Sequence, residues 1–408
     1  MARSPSATAS PKSAAAAPHV PDLSVAALPK ALGPGCVHWS PATAKGVRTA
    51  DGVDVHALER FMHYIYRRQC LQMGKPAPED AVHGCTSTGN VYRQLDTGTR
   101  VTGAALRAAL RPLLDADALP AAAVEVLAQA LRAAVLDMAV GKGATFKAWR
   151  ACELRKQKCA DVEAALRALP CLLPLTDADM DSFDAYLAVR GEGGEGDAAL
   201  PDGEAFFTAA YQVRGFKRTR EMVAALRLHA HAVAAALQKA PTWEKATAEV
   251  MSFCHVGAYY GGQALCCLYH CFVGGDAPGG PFRSRLLRAL DPASLAHFAT
   301  PGNGPKAALE AIFGARVRGS SAQKMAWLAA NTAALLHWAG LDDFPWLMEG
   351  GERLAMTAVD HEHSLCYFHR ASVARDNLRG HAAHLHAALR ACAPPGGSLT
   401  VHLSELEV

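Results

Sequence analysis

Three groups of residues in this sequence have the types and spacings for chemistry. Asn90, Arg93, Asp96 and Arg100 recur at steps of three, three and four in GNVYRQLDTGTR, with Tyr92 beside them. On a helix they would share one polar face, either a pocket wall or an exposed row of ion pairs contributing about a few tenths of a kcal/mol each. Asp360, His361, Glu362 and His363 in AVDHEH form the second group. A carboxylate beside a histidine can move protons near neutral pH, whereas capping and the helix dipole account for Asp360 and Glu362 without any activity. Metal binding by His361 and His363 is the weakest reading, because residues two apart on a helix point different ways. The third group is TPGNGPKAALEAIF, residues 300–313. Gly302 and Gly304 leave backbone N–H groups uncovered near a helix start, a geometry that attracts a phosphate oxygen, and Lys306 follows one turn later.

The elements that must position these groups read as helices. Asp291-Pro292 opens one running to about Phe298, Pro301-Gly302-Asn303-Gly304 breaks it, and Pro305 restarts another with Ala308, Ile312 and Phe313 inward. Residues 55–73 carry Leu58, Phe61, Ile65 and Cys70 on one stripe, and Tyr64, Arg67 and Gln69 lie on the same predicted helix. Residues 88–114 read as a second helix containing the polar stripe. Further helices are predicted over 120–140, 144–169, 176–190 and 321–341, with a long one within 206–237 that starts beside Lys217, Arg218 and Arg220, and a last one that opens at 356 and continues through the HAAHLHAALRAC segment. Residues 250–275 carry no formal charge, and Gly261-Gly262 would interrupt them as a buried helix pair. His255, Gln263 and His270 argue against a membrane span there.

Composition supports an all-α reading. Half of the 408 residues are hydrophobic and the net charge is only +3, so any nucleic-acid site must be local. Lys217, Arg218 and Arg220 form one basic cluster suited to a phosphate backbone, although three such charges are more often simply solvated. Twelve cysteines without paired CxxC spacing read as reduced thiols of an intracellular protein. No metal or other cofactor is expected. Residues 1–50 are rich in Ala, Ser and Pro and read as a disordered tail, nuclear or cytosolic rather than an organelle transit peptide. The domain then spans 51–392, with a C-terminal tail over 393–408.

The 300–313 segment resembles the helix-hairpin-helix element through Pro301, Gly302, Gly304, Lys306 and Ala307, with Asn303 replacing the usual apolar residue. FMHYIYRRQCL (61–71), GNVYRQLDTGTR (89–100) and AVDHEHSLCYFHR (358–370) resemble the helical domain of phage 5-hydroxymethyluracil DNA kinases and the related alpha-glutamyl/putrescinyl thymine pyrophosphorylases. FFTAAYQVRGF and HVGAYYGGQAL fit the same pattern. The resemblance implies a helix-hairpin-helix, DNA-glycosylase-like fold of two helical lobes with a cleft. It also implies a partner, DNA carrying a modified pyrimidine, and action on that base after extrusion from the duplex. The pocket it implies is lined by Asn90, Tyr92, Arg93, Asp96, Arg100 and His363, with Tyr64, Arg67 and Gln69 opposite. Gly302, Gly304 and Lys306 would hold the DNA backbone. Carried over from glycosylases, Lys306 takes the nucleophile position and Asp360 that of its electrostatic partner, although Asp360 lies unusually far beyond the hairpin.

No GxxxxGK[ST] sequence is present, so kinase activity is not expected from this chain alone, and separate kinase or modification enzymes are implied. A base-modifying or base-processing enzyme of the transferase or glycosylase-like kind is the leading expectation. The alternatives are a nonenzymatic DNA-binding module that recognises a modified pyrimidine, and an all-helical interaction protein.

Overall fold

The computed structural model describes residues 20–30, 49, 52–75, 90–113, 119–140, 144–169, 171–191, 216–273, 286–287, 289–349 and 351–372. The 206–215 part of FFTAAYQVRGF and the expected helical continuation beyond 372 lie outside these residues.

Helices dominate, as the composition requires. In chain order they are α1 (Val55–Gln72), α2 (Thr97–Leu110), α3 (Leu119–Ala139), α4 (Ala144–Lys156), α5 (Val162–Ala168), α6 (Asp177–Gly191), α7 (Phe216–Leu237), α8 (Trp243–Val250), α9 (Ala258–Val273), α10 (Asn303–Phe313), α11 (Ser321–Trp338) and α12 (358–372). A two-residue antiparallel ribbon, Met348–Glu349 with Glu352–Arg353, interrupts the helical pattern between α11 and α12. Side-chain caps set several starts. Asp54 accepts from the Ala57 N–H, Asp96 from Thr99, Thr242 from Lys245, and Ser320 forms a reciprocal capping box with Gln323. Thr176 and Asp179 cap α6 reciprocally, as their spacing predicts.

The helices fall into two packing groups. Helix α9 packs on α2, α3 and α8, while α7 packs on α3, α6 and α8. Helices α1, α10 and α11 associate separately, with α1 against α10 and α10 against α11. The stripe residues Leu58, Phe61, Ile65 and Cys70 of α1 are buried, as are Ala308, Ile312 and Phe313 of α10. Burying each large apolar side chain contributes about 1.5–3 kcal/mol, so tertiary packing rather than propensity holds these helices.

Four expectations are corrected. Residues 144–169 form two helices, since the chain turns at Lys158 with φ 58°. Gly261-Gly262 does not interrupt the uncharged segment: both lie inside α9, where Gly262 lets Thr300 approach, and a Cβ there would sit 2.0 Å from Thr300 Oγ1. Within the expected disordered tail, residues 20–29 dock on α11. Val20 is fully buried and donates its N–H to Arg318 O, while the Trp327 and Trp338 indole N–H groups donate to Leu23 O and Pro29 O. Those bonds satisfy two indoles that would otherwise lack partners. Finally, the 88–114 helix is broken: Arg93–Leu95 is a single 3-10 turn, and α2 begins only after its Asp96 cap.

No helix among the described residues is long and apolar enough to cross a membrane.

Candidate functional site

The hairpin is shorter upstream than its sequence predicts. Pro292–Ala296 is one 3-10 turn capped by Asp291 rather than a helix reaching Phe298. Helix α10 starts at Asn303, two residues before Pro305, with Gly302 at the capping position. Gly302 has no side chain to cap that helix, and the Tyr259 ring lies close enough that a Cβ at Gly302 would meet it at 3.1 Å. Gly304 is buried beneath α12, near Cys366 and His369, whereas Asn303 and Lys306 are exposed. An apolar residue at 303 would face solvent in this arrangement, which explains why Asn is accommodated.

Helix α12 carries the centre of the site. Thr357 caps it, and Asp360, three residues on, returns the bond: Asp360 Oδ2 accepts from the Thr357 N–H and hydroxyl, both at 2.8 Å. Asp360 Oδ1 accepts from the Arg93 backbone N–H at 2.7 Å. Burial raises the Asp360 pKa, while these donors and the Arg93 charge oppose the rise. Both oxygens are thus engaged in joining α12 to the NVYRQLD turn.

The Arg93 side chain is buried, so it belongs to no exposed row of ion pairs. Its Nη1 lies 2.9 Å from His363 Nδ1. Guanidinium only donates, so Nδ1 accepts and the His363 proton sits on Nε2, 3.6 Å from Asp96 Oδ1. Burial opposes the Arg93 charge, but Cys267, Cys266, Asp96 and Glu362 together raise its pKa. Burial also pushes the Cys266 thiol far up, so the carboxylates Asp96 and Glu362 supply the compensating negative charge.

Glu362 is the residue that its sequence neighbourhood singles out least. It is buried, and Gln263 Nε2 of α9 donates to its Oε2 at 2.9 Å. Burial raises its pKa to about 7 against the opposing influence of Arg93, Gln263 and the Gly302 N–H. The Gly302 N–H approaches the carboxylate closely enough to favour its charge, yet Oε1 makes no hydrogen bond of good geometry. Half-buried Tyr259 and Cys366 are within electrostatic reach of it. The Tyr259 hydroxyl is within electrostatic reach of Glu362, Cys366, Arg93 and Tyr367, and burial raises its pKa. The glycine at 302 and the amide at 263 were the available signals, but only the fold shows that they meet at one carboxylate.

The remaining candidates separate into neighbours and supports. Asn90 is half-buried and donates to the Leu95 carbonyl, bracing the turn. Tyr92 is fully buried, and its hydroxyl donates to Leu354 O at 2.9 Å, so its ring is a packing element. Gln69 is buried and donates to Pro345 O at 3.0 Å, which turns it toward the 344–346 loop. Tyr64 is buried against Phe368, the residue following Tyr367, while Arg67 is half-buried on α1. Arg100 is exposed beyond the turn. Lys306 is exposed on α10 while Asp360 is buried, so the proposed nucleophile and its electrostatic partner occupy different environments. His361 points away from the site: its Nε2 meets Thr332 Oγ1 at 2.8 Å, and burial lowers its pKa to about 3. Of the basic cluster near 217, Arg220 is neutralised by a two-bond pairing with Asp184. No group of three His, Cys, Asp or Glu among the described residues is arranged to hold a metal.

The convergence is specific. Hairpin, α9, α12 and the Arg93 turn meet at one buried group of two acids, a guanidinium and a histidine. Burying charge costs several kcal/mol unless it is paired, so such clusters concentrate at functional sites. Comparison with curated proteins and with solved structures gives no match. Comparison with family models does: residues 288–378, which hold the hairpin, α10, α11 and α12, match the 5-hmdU DNA kinase, helical domain.

Proposed function

We propose that this chain acts on DNA carrying a modified pyrimidine of the 5-hydroxymethyluracil kind, modifying or processing that base after extruding it from the duplex. One observation carries the reading. The matched segment contains both the glycine hairpin and α12, and Glu362 of α12 sits against the Gly302 N–H while also facing Gln263 and Arg93. Asn303 and Lys306 are exposed in the first turn of α10, so a phosphate held there would lie beside that group, which the preceding Gly302 borders. Lys306 is suited to a phosphate contact by its exposure. Incubating the protein with DNA containing 5-hydroxymethyluracil or its phosphorylated form, then digesting to nucleosides for mass analysis, tests the reading. A new nucleoside mass is expected, and its absence under conditions where DNA is bound would overturn the enzymatic part.

A second reading, a nonenzymatic reader of the same base, draws on Asp360. Both of its oxygens are occupied by Thr357 and Arg93, an arrangement that organises a pocket without offering a reactive carboxylate. The two readings share the pocket and differ in turnover.

A further inference from the structure

An extruded pyrimidine offers its faces for stacking and its Watson–Crick edge for hydrogen bonds. Uracil-type bases present an N3–H donor between two carbonyl acceptors, whereas cytosine-type bases present an N3 acceptor. A site that distinguishes them needs an acceptor aimed at N3, held so that it cannot turn into a donor. Glu362 Oε1 has the required character. Its residue is 3% exposed, Oε2 is fixed by Gln263, and Oε1 makes no hydrogen bond of good geometry, although the Gly302 N–H lies close to the carboxylate. Burial raises the Glu362 pKa to about 7 against the opposing influence of Arg93, Gln263 and the Gly302 N–H, so above pH 7 the group is the ionised carboxylate, which can only accept.

Two half-buried aromatic rings stand nearby. Tyr259 lies against Gly302, and Tyr367 packs edge-on to His363, with ring centroids 4.9 Å apart, beneath the Arg370 guanidinium at 5.4 Å. Tyrosines exposed on one side and anchored on the other are suited to stack on a base.

Resting on the DNA-base reading above, we propose that Glu362 is the specificity-determining residue of this site, accepting the N3–H of a uracil-type base through Oε1 while Tyr259 and Tyr367 stack on its ring. The 5-substituent lies on the other edge of the pyrimidine, so the contact selects uracil over cytosine whatever group position 5 carries. A cytosine-type base would set its N3 lone pair against the carboxylate and be rejected. Tyr259 contributes affinity without choosing between the two.

The test is a binding competition at pH 8 and low salt, using duplexes that differ only at one mispaired position: 5-hydroxymethyluracil or 5-hydroxymethylcytosine. Wild-type protein is expected to prefer the uracil duplex by about tenfold or more. Glu362→Gln, whose amide can turn to donate or accept, is expected to bring that ratio to within about twofold. Glu362→Asp keeps the charge beside Arg93 but withdraws the oxygen, and serves if the Gln variant fails to fold. Tyr259→Ala should weaken both duplexes together and leave their ratio unchanged. A wild-type ratio near one, or an unchanged ratio in a folded Glu362 variant, overturns the inference while leaving the DNA-base reading standing. Absence of binding to either duplex overturns that reading and the inference with it.

Discussion

The Arg93 backbone N–H donates to the Asp360 carboxylate across 2.7 Å, joining two segments 267 residues apart in sequence. Because the second Asp360 oxygen closes the α12 cap, one carboxylate both starts the helix and fixes the NVYRQLD turn on it. Asp360→Asn must turn an amide N–H toward one of these donors. The expected result is a loss of about 2 kcal/mol in denaturant unfolding, from one weakened cap and one lost charged hydrogen bond. An unchanged midpoint would show that the turn is held by other contacts.

Glu362 makes stability depend on pH in a definite direction. Its pKa rises from 4.5 to about 7 on folding, so the folded state holds its proton more tightly. The stabilisation from that proton is complete below pH 4.5 and is lost as pH rises through 7. Relative to Glu362→Gln, which does not titrate there, wild-type protein should lose up to about 3 kcal/mol between pH 4.5 and 8. Unfolding curves of both proteins across that range provide the measurement.

Gly262 is where α9 meets the hairpin. Adding a methyl 2.0 Å from Thr300 Oγ1 forces the hairpin away from α9, with an expected cost of about 1–3 kcal/mol for Gly262→Ala. Gly302→Ala meets only the edge of the Tyr259 ring at 3.1 Å and should cost less. Thermal melting of the two variants gives the order.

Removing residues 1–30 takes away buried Val20 and the carbonyl acceptors of Trp327 and Trp338. A loss of about 3 kcal/mol is expected from the apolar burial and the two hydrogen bonds, with tryptophan emission shifted to the red. An unaltered spectrum and midpoint would contradict the docking of this segment on α11.

How legible the molecule is from sequence depends on the range of the interaction. Helical periodicity located α1, α3, α7 and α11 because their buried stripes are local patterns, and Ala308, Ile312 and Phe313 point inward as their spacing implies. The Asn90–Arg100 stripe misled because Asp96 prefers to cap, which places Arg93 in a 3-10 turn before α2 instead of on its face. The tail reading failed at Val20 and Leu23, where two apolar residues and two carbonyl acceptors suffice to dock a short segment between polar flanks. Glu362 was named with its neighbours but had no reason to stand out. Its character arises from Gln263 and Gly302, and that meeting is a property of the fold.

The central claim is that the hairpin and the Arg93 turn form one site for DNA bearing a uracil-type modified base. Titrating wild-type protein and Lys306→Ala against a duplex with a single 5-hydroxymethyluracil, at several salt concentrations, tests it most directly. The account predicts tight binding at low salt that weakens steeply as salt rises, and weaker binding for Lys306→Ala with a salt slope smaller by about one. No binding by wild-type protein at low salt would contradict it.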